Sequence, residues 1–513
     1  MIMKIKKLML VVAAISLVAF GGLAGCKAPT IPNTPYDLEI LFWESGLGRE
    51  YIDRINVEFN KMHPEINIHL VSSADVSTVP LYASPATNTV DLYFVSLPTY
   101  LAHKEYLEPL NDVIGAAVDG GSLTIGDKIH GIAKRMKEDG SDDLYVIPYA
   151  STVNTLVYNA DIFAANSSFF IPRTTNELIN LANIIQDTSK PGGGNYVPFI
   201  FYNTYWRYIT EAWIAQLDGV DSYFDMWSAV YTDIEGTRNE NDVRAFTDYS
   251  LGKGKYEALN VLQKLVSRSS NIVYGTNIMS HIETQTRFLN GEAVMIPNGS
   301  WLENEMKNAK NHPNIRMMRP PVISALGTKL GITENQLAAA VAYVDGTANS
   351  SETAAATALP PAKLDAVRAA RGIMHTELSG HTAFIPNYSN AKAAAKEYLK
   401  FYYSDAAMKI MQETTRMPIP VTLSQGEVDT ASWSGFSKDA FAYSQSFTPI
   451  YTSLRSRIMY ENGISSFSRN APSSKFAYSQ NVADMWDLSQ YITEETKYWN
   501  NNWPIFKSGI GIN

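Results

Sequence analysis

The chain has 513 residues, with 51 Asp and Glu against 42 Lys and Arg, and a single cysteine. A net charge of −9 argues against nucleic acid as a partner. One thiol excludes internal disulfides, and with that thiol assigned to an anchor, thiolate catalysis, iron–sulfur clusters and cysteine zinc sites go too. The length exceeds what one hydrophobic core ordinarily holds, so two or more lobes are expected.

The N-terminus reads as an export signal. Lys4, Lys6 and Lys7 precede the uncharged run LMLVVAAISLVAFGGLA, and small residues lead into Cys26. Leu23-Ala24-Gly25-Cys26 resembles the bacterial lipobox. That resemblance implies cleavage after residue 25 and a lipid on the Cys26 sulfur, which holds the protein to a membrane facing outward. Residues 26–36, rich in proline, read as a tether.

The first strand is LEILFW, 38–43, followed by a glycine loop and a helix over 49–62 with Ile52, Ile55, Phe59 and Met62 at helical spacing. INIHLVS (66–72) and VDLYFVS (90–96) are the next strands, which predicts an α/β lobe with a largely parallel sheet. LYVIPYAST (144–152) runs into NTLVYN (154–159), where the second lobe starts. Thr174 and Glu177 form a capping box before a helix. The aromatic stretch 199–217 and residues 253–268 read as helices. FLNGEAVMIPNGSW, 288–301, reads as helix end, short strand, glycine loop and next helix. IRMMRPPVI, 315–323, is an edge-like strand because of its prolines. Residues 331–375 are alanine-rich and helical, HTAFIPNY (381–388) is a strand, and 389–415 gives two helices broken near Ser404. From 437 onward the chain is expected to be mostly helical.

These landmarks, in this order, resemble family 1 extracellular solute-binding proteins, the sugar-binding lipoproteins of ABC importers. FLNGEAVMIPNGSW is the most specific piece. The resemblance implies a periplasmic-binding-protein-like α/β fold, with two lobes joined by hinge strands around a ligand cleft. It divides the chain into a signal peptide (1–25), a tether (26–36), first-lobe residues 37–150, second-lobe residues 151–380 with a helical insertion near 331–375, a return to the first lobe over 381–425, and a mostly helical part (426–513) packed on the lobes. It further implies a monomer that binds a mono- or oligosaccharide and delivers it to permease subunits, without cofactor, metal or catalysis.

A sugar ring offers an apolar face, which a flat aromatic side chain can cover, and hydroxyls, which amides, carboxylates and guanidinium groups can bond. Ligands in open α/β sheets bind beyond the carboxyl ends of strands. Trp43 and Glu44 end the first strand, Ser73 the second and Ser96 the third; packing and helix capping are the competing roles there. Tyr149 lies at the first crossing, and Trp206 on the aromatic stretch. Trp301 is the leading candidate, because the resembling family commonly stacks the aromatic after this glycine loop on a sugar; Asn298 offers an amide beside it, and Gly299 permits close backbone approach. Tyr388 and Arg416 complete the set.

An exported glycoside hydrolase is a rival reading, but no carboxylate pair stands in a persuasive motif. HExxH, GxSxG and GxxxxGK are all absent from the sequence. A receptor for a non-sugar solute and a sensory or adhesive lipoprotein remain further alternatives.

Overall fold

The computed structural model describes residues 34–44, 46–73, 85–95, 104–129, 143–202, 204–377, 381–451, 476 and 485–509. The export signal, Cys26 and Ser96 lie outside them. Twelve strands follow in chain order: β1 (Asp37–Trp43), β2 (Asn67–Ser73), β3 (Leu92–Val95), β4 (Ile147–Pro148), β5 (Asn154–Asn159), β6 (Tyr231–Thr232), β7 (Arg238–Asn239), β8 (Met295–Gly299), β9 (Ile315–Met318), β10 (Ile373–His375), β11 (Thr382–Phe384) and β12 (Thr448–Ile450).

The first sheet has the order β2-β1-β3-β11-β4. β1 is buried along nearly its whole length, as expected of a strand covered on both faces. It pairs in parallel with β2 and β3. β11 runs antiparallel to both β3 and β4, so the sheet is mixed rather than largely parallel. The cause is topological: β11 arrives from the other sheet, not through a helical crossover. The helix Glu50–Met62 lays Ile52, Ile55 and Phe59 into this lobe. Met62 continues the spacing but, as the last helical residue, is 57% exposed.

The second sheet has the order β12-β10-β5-β8, and β9 also pairs with β5. β5 borders β8 on one side and shares its other side between β10, at Asn154, and β9, from Leu156 onward. The helix Arg207–Asp218 packs across β5, β8 and β10. Residues 199–202, expected to open that helix, are extended. Ile200 N donates to Met295 O (3.1 Å) and Phe201 N to Thr276 Oγ1 (2.8 Å). The aromatic and β-branched run after Pro198 favours this extended course, and the helix starts only after Trp206. At Thr174 half of the expected capping box forms. The hydroxyl accepts from Glu177 N, while the Glu177 carboxylate accepts from Arg173 N and its guanidinium.

The segment 331–375 folds into helices Glu334–Val344, Ser350–Thr357 and Pro361–Gly372, ending in β10. It is fastened to the second sheet's side by Arg173–Glu352 (2.5 Å) and by Arg371, which grips Asp345 and Pro320 O. Late in the chain, β12 is a strand where helix was expected. It pairs in parallel with β10 beside the helix Gly435–Ser444. The final helix, Leu488–Gly509, packs on the second lobe, with Trp499 stacked on Phe246 at 4.1 Å.

The chain therefore passes between the sheets three times: at 149–153, at 376–381, and after Val421, which is still bridged to Ile129 of the first lobe.

Candidate functional site

The first two connections run side by side and are stitched together. Tyr149 N donates to His381 O (2.9 Å), Thr152 N to Thr376 Oγ1 (3.3 Å), and Glu377 N to Thr152 Oγ1 (2.8 Å). His381 Nδ1 lies 2.9 Å from Glu377 O. A carbonyl only accepts, so that ring nitrogen carries the proton. Burial pushes the His381 pKa below its ordinary value, which favours the neutral ring. The oriented imidazole stacks on Trp43, centroids 5.3 Å apart and planes 25° from parallel. The half-buried indole at the end of β1 is thus held by the second connection. Tyr149 meets the same imidazole edge-on at 5.5 Å. It is fully buried, which pushes its phenol pKa well up, and its hydroxyl has no partner among the described residues.

On the other side, Trp301 follows β8. An atom in the Cβ position of Gly299 would lie 2.1 Å from the six-membered ring of Trp301. The glycine is needed because the indole itself occupies that space. Tyr205 and Tyr208 meet this ring edge-on at 5.9 and 6.0 Å. The loop after β1 reaches it from the first lobe: a Cβ on Gly46 would stand 3.2 Å from Trp301 Cβ. Asn304 Nδ2, one turn on, donates to Thr415 O of the first lobe (2.8 Å). Trp301 therefore sits where the lobes touch, 8% exposed.

The other sequence candidates are distributed around this junction. Glu44 is partly exposed and accepts from Ser72 Oγ (2.7 Å). Ser73 ends β2, paired with Trp43. Arg416 is exposed and holds a left-handed conformation (φ 54°) next to the Thr415–Asn304 contact. Tyr388 is tied to Asn88 Nδ2 (2.7 Å) within the first lobe. Asn298 pairs with Thr155 while Gly299 pairs with Asn154. Because opposed residues share a face and neighbours alternate, Asn298 points away from the Trp301 side. Trp206 is 2% exposed and edge-on to Phe199 and Phe201, inside the second lobe.

Charge at the junction centres on Arg207 and Glu377. They form an ion pair between the aromatic helix and the second connection, with side chains 22% and 14% exposed. Burial works against the Glu377 carboxylate, but Arg207, His375, His381 and a Tyr208 hydrogen bond together outweigh it and hold the pKa below the usual carboxylate range. Behind this pair lies a buried polar group. Tyr223 donates to Glu211 Oε2 (2.6 Å), Asn154 Nδ2 donates to His375 Nδ1 (3.1 Å), and His375 Nε2 stands 3.3 Å from Glu211 Oε2, off the line of a straight hydrogen bond. Asn154 Oδ1, Glu211 Oε1 and Arg207 Nε are buried without a partner among the described residues. An unpaired buried polar atom costs about 1–3 kcal/mol, so this region is not closed to the standard of an ordinary core.

Arg207, Glu377, His381 and Tyr205 were not singled out from the sequence as ligand residues. The signal for Glu377 and His381 was present: TELSGH lies between β10 and β11 in the sequence, the counterpart of YASTV between β4 and β5. Among the described residues, no three His, Cys, Asp or Glu side chains are placed to hold a metal ion. Among the described residues, cavities of about 350, 630 and 430 Å³ lie in the second lobe away from the junction.

Two α/β lobes joined by crossed strands, with aromatic and charged side chains meeting at the seam, define a two-lobed binding protein. The model of the bacterial extracellular solute-binding protein family matches residues 45–409, more than half of the chain, and the chain belongs to that family. Its fold is shared with the solute receptor AcbH, described as exclusive for β-D-galactopyranose (14% identity, 93% of this chain and 100% of that one, TM-score 0.57). It is shared also with the maltose-maltodextrin binding protein of Alicyclobacillus acidocaldarius (14%, 90% and 100%, 0.55). RafE from Streptococcus pneumoniae is a third example (13%, 92% and 98%, 0.55). At such identities the likeness establishes the fold. No curated protein matched the chain in a sequence comparison.

Proposed function

We propose that this protein is the carbohydrate receptor of an ABC importer, anchored to the outer face of the cell membrane through a lipid on Cys26. It takes up an oligosaccharide at the seam between the lobes and presents the closed form to permease subunits. The observation that carries the reading is the pair of indoles from opposite lobes, Trp43 and Trp301, each oriented by aromatic neighbours, with Trp43 linked to Glu377 through His381 and Trp301 linked to Arg207 through Tyr208. Flat apolar rings beside charged hydrogen-bonding groups match the two-sided chemistry of a pyranose. Galactopyranose, maltodextrin and raffinose are the ligands named for proteins of the same fold. Glu44 and Arg416 supply further polar groups at the rim. Trp206 and Tyr149, both buried, serve packing in this reading.

Titration calorimetry against xylo-, malto-, manno- and galacto-oligosaccharides tests it. Saturable binding of one series without breakdown is expected. Silence on every sugar together with binding of a peptide would sink the carbohydrate claim, and chromatographic cleavage of a bound sugar would sink receptor-only function. Mass spectrometry of the N-terminal peptide tests the anchor: a diacylglyceryl adduct on Cys26 is expected, and it must disappear in Cys26→Ser.

A further inference from the structure

The 630 Å³ cavity in the second lobe has a charge that nothing in the solute-binding reading uses. Its lining includes three arginines, Arg319, Arg368 and Arg371, against one carboxylate, Asp345, in a protein that is acidic overall. The size falls within the range of small-molecule sites, about 300–1,000 Å³.

The three guanidinium groups differ in how fully they are engaged. Arg371 is 5% exposed and neutralised: Nε and Nη2 grip Asp345, and Nη1 donates to Pro320 O (2.9 Å). Arg368 pairs with Asp365 on its own helix. Arg319 has no carboxylate within ion-pair distance among the described residues. Its Nη2 donates to Ser446 Oγ (2.8 Å), and its guanidinium carbon lies 4.8 Å from the centroid of the Tyr443 ring. Tyr443 is itself fixed by donating to Met317 O (3.2 Å). The Arg319 fork is thus held in one place by a hydroxyl and a ring, with neither neutralising it. Burial and the neighbouring Arg371 push its pKa below the ordinary arginine value, and the more distant Asp345 offsets this only in part.

A purely structural explanation is that arginines compensate the ends of helices, and Glu334–Val344, Pro361–Gly372 and Gly435–Ser444 all finish near this cavity. Arg319 does not fit it. This residue follows β9 rather than sitting on a helix, and its acceptor is a side-chain hydroxyl, not a helix-end carbonyl.

We propose that this cavity is a binding site for a tetrahedral oxyanion, phosphate or sulfate, free or carried on an organic solute, with Arg319 as its principal ligand. The planar fork of arginine matches two oxygens of such an anion, and a preset fork loses little freedom on binding. The site lies on the second lobe's own framework, away from the seam, and does not depend on which sugar the seam accepts.

Calorimetric titration at constant ionic strength tests it, with inorganic phosphate, sulfate and glucose 6-phosphate as probes and chloride and glucose as controls. Saturable binding of phosphate or sulfate is expected, absent for chloride. Arg319→Gln should weaken it at least tenfold, about 1.4 kcal/mol, and Arg319→Lys should fall between, keeping the charge but losing the fork. Binding of glucose 6-phosphate but not of inorganic anion supports the proposal with an organic carrier if Arg319→Gln abolishes it, and overturns the assignment of Arg319 as principal ligand if Arg319→Gln leaves it unchanged. The proposal also fails if the wild type gives no saturable heat with any of the three anions, or if Arg319→Gln binds as tightly as wild type. A neutral oligosaccharide bound at the seam should keep its affinity in Arg319→Gln, which separates this site from the seam and serves as a check that the variant is folded.

Discussion

Two buried charge clusters in this molecule are built to different standards. In the first lobe, Lys128 is 2% exposed and fully engaged: its ammonium donates to Asp119 (2.5 Å), Asp405 (2.8 Å) and Tyr403 O (3.0 Å). The carboxylates are met in turn by the backbone N–H groups of Asp405, Ser424 and Gln425. At the seam, Glu211, Asn154 and His375 are equally deep in the structure and Arg207 is partly buried beside them, yet several of their polar atoms lack a partner among the described residues. A closed network with no spare valence fixes a scaffold. An open one marks a place where something else, solute or movement, completes the set.

The largest effect that tests this contrast is on stability. Lys128→Met strands two carboxylates in the first lobe and is expected to cost about 3–5 kcal/mol in urea unfolding. A loss under 1 kcal/mol would show that the network is ornamental. Next comes the seam. Trp301→Ala should weaken the best sugar ligand at least tenfold, about 1.4 kcal/mol, in calorimetry, with the variant still folded. Gly299→Ala should do likewise without removing the indole, because the new methyl drives the ring out of place. Unchanged affinity in both variants would take Trp301 out of the site.

Acid separates the two regions by pH. His381 has a folded pKa below its unfolded one, so protons bind the unfolded chain first and the stitched connections lose stability as pH falls below about 6.5. For Asp405, burial opposes the carboxylate, but Lys128 and two backbone N–H groups hold its pKa below the unfolded value. Its contribution is present at neutral pH and is lost only as pH falls from about 4 downward. Hydrogen exchange, corrected for intrinsic rate, should show residues 149–153 and 376–377 loosening at a higher pH than residues 119–128. Simultaneous loosening would contradict the assignment. The alkaline side is tested by Lys255, whose pKa burial pulls down to about 7. The unfolded chain then holds more protons between about pH 7 and 10, so stability should rise over that interval. Lys255→Met should flatten the rise in a series of unfolding curves.

Much of the architecture was legible because periodicity and turn chemistry are local. The helices 254–266, 392–402 and 405–415 fall within three residues of where spacing and the Ser404 break put them. What was not legible depends on partners distant in the chain. β11 reverses direction because of where it comes from, and β12 is a strand only because β10 offers an edge. The extended course of 199–202 depends on Thr276 and Met295. At the site, Trp301 stood out through the glycine loop before it. The side on which Asn298 falls is a matter of register, and the pairing of Trp43 with His381 joins residues more than three hundred positions apart, which no local pattern encodes.

The three crossings also dictate when this protein can fold. β11 lies between β3 and β4, and Thr382 Oγ1 reaches Val95 O across 287 residues of sequence. The first sheet therefore stays split, with two raw strand edges, until three-quarters of the chain has been delivered, and the second waits longer still for β12. Pairings this distant form slowly, and half-built sheets expose edges that invite aggregation. A chain that emerges from its export channel N-terminus first cannot finish either lobe on the way out. Both must close almost together, near the end of delivery, which makes this fold more dependent on protection during emergence than a protein whose lobes are each encoded in one stretch.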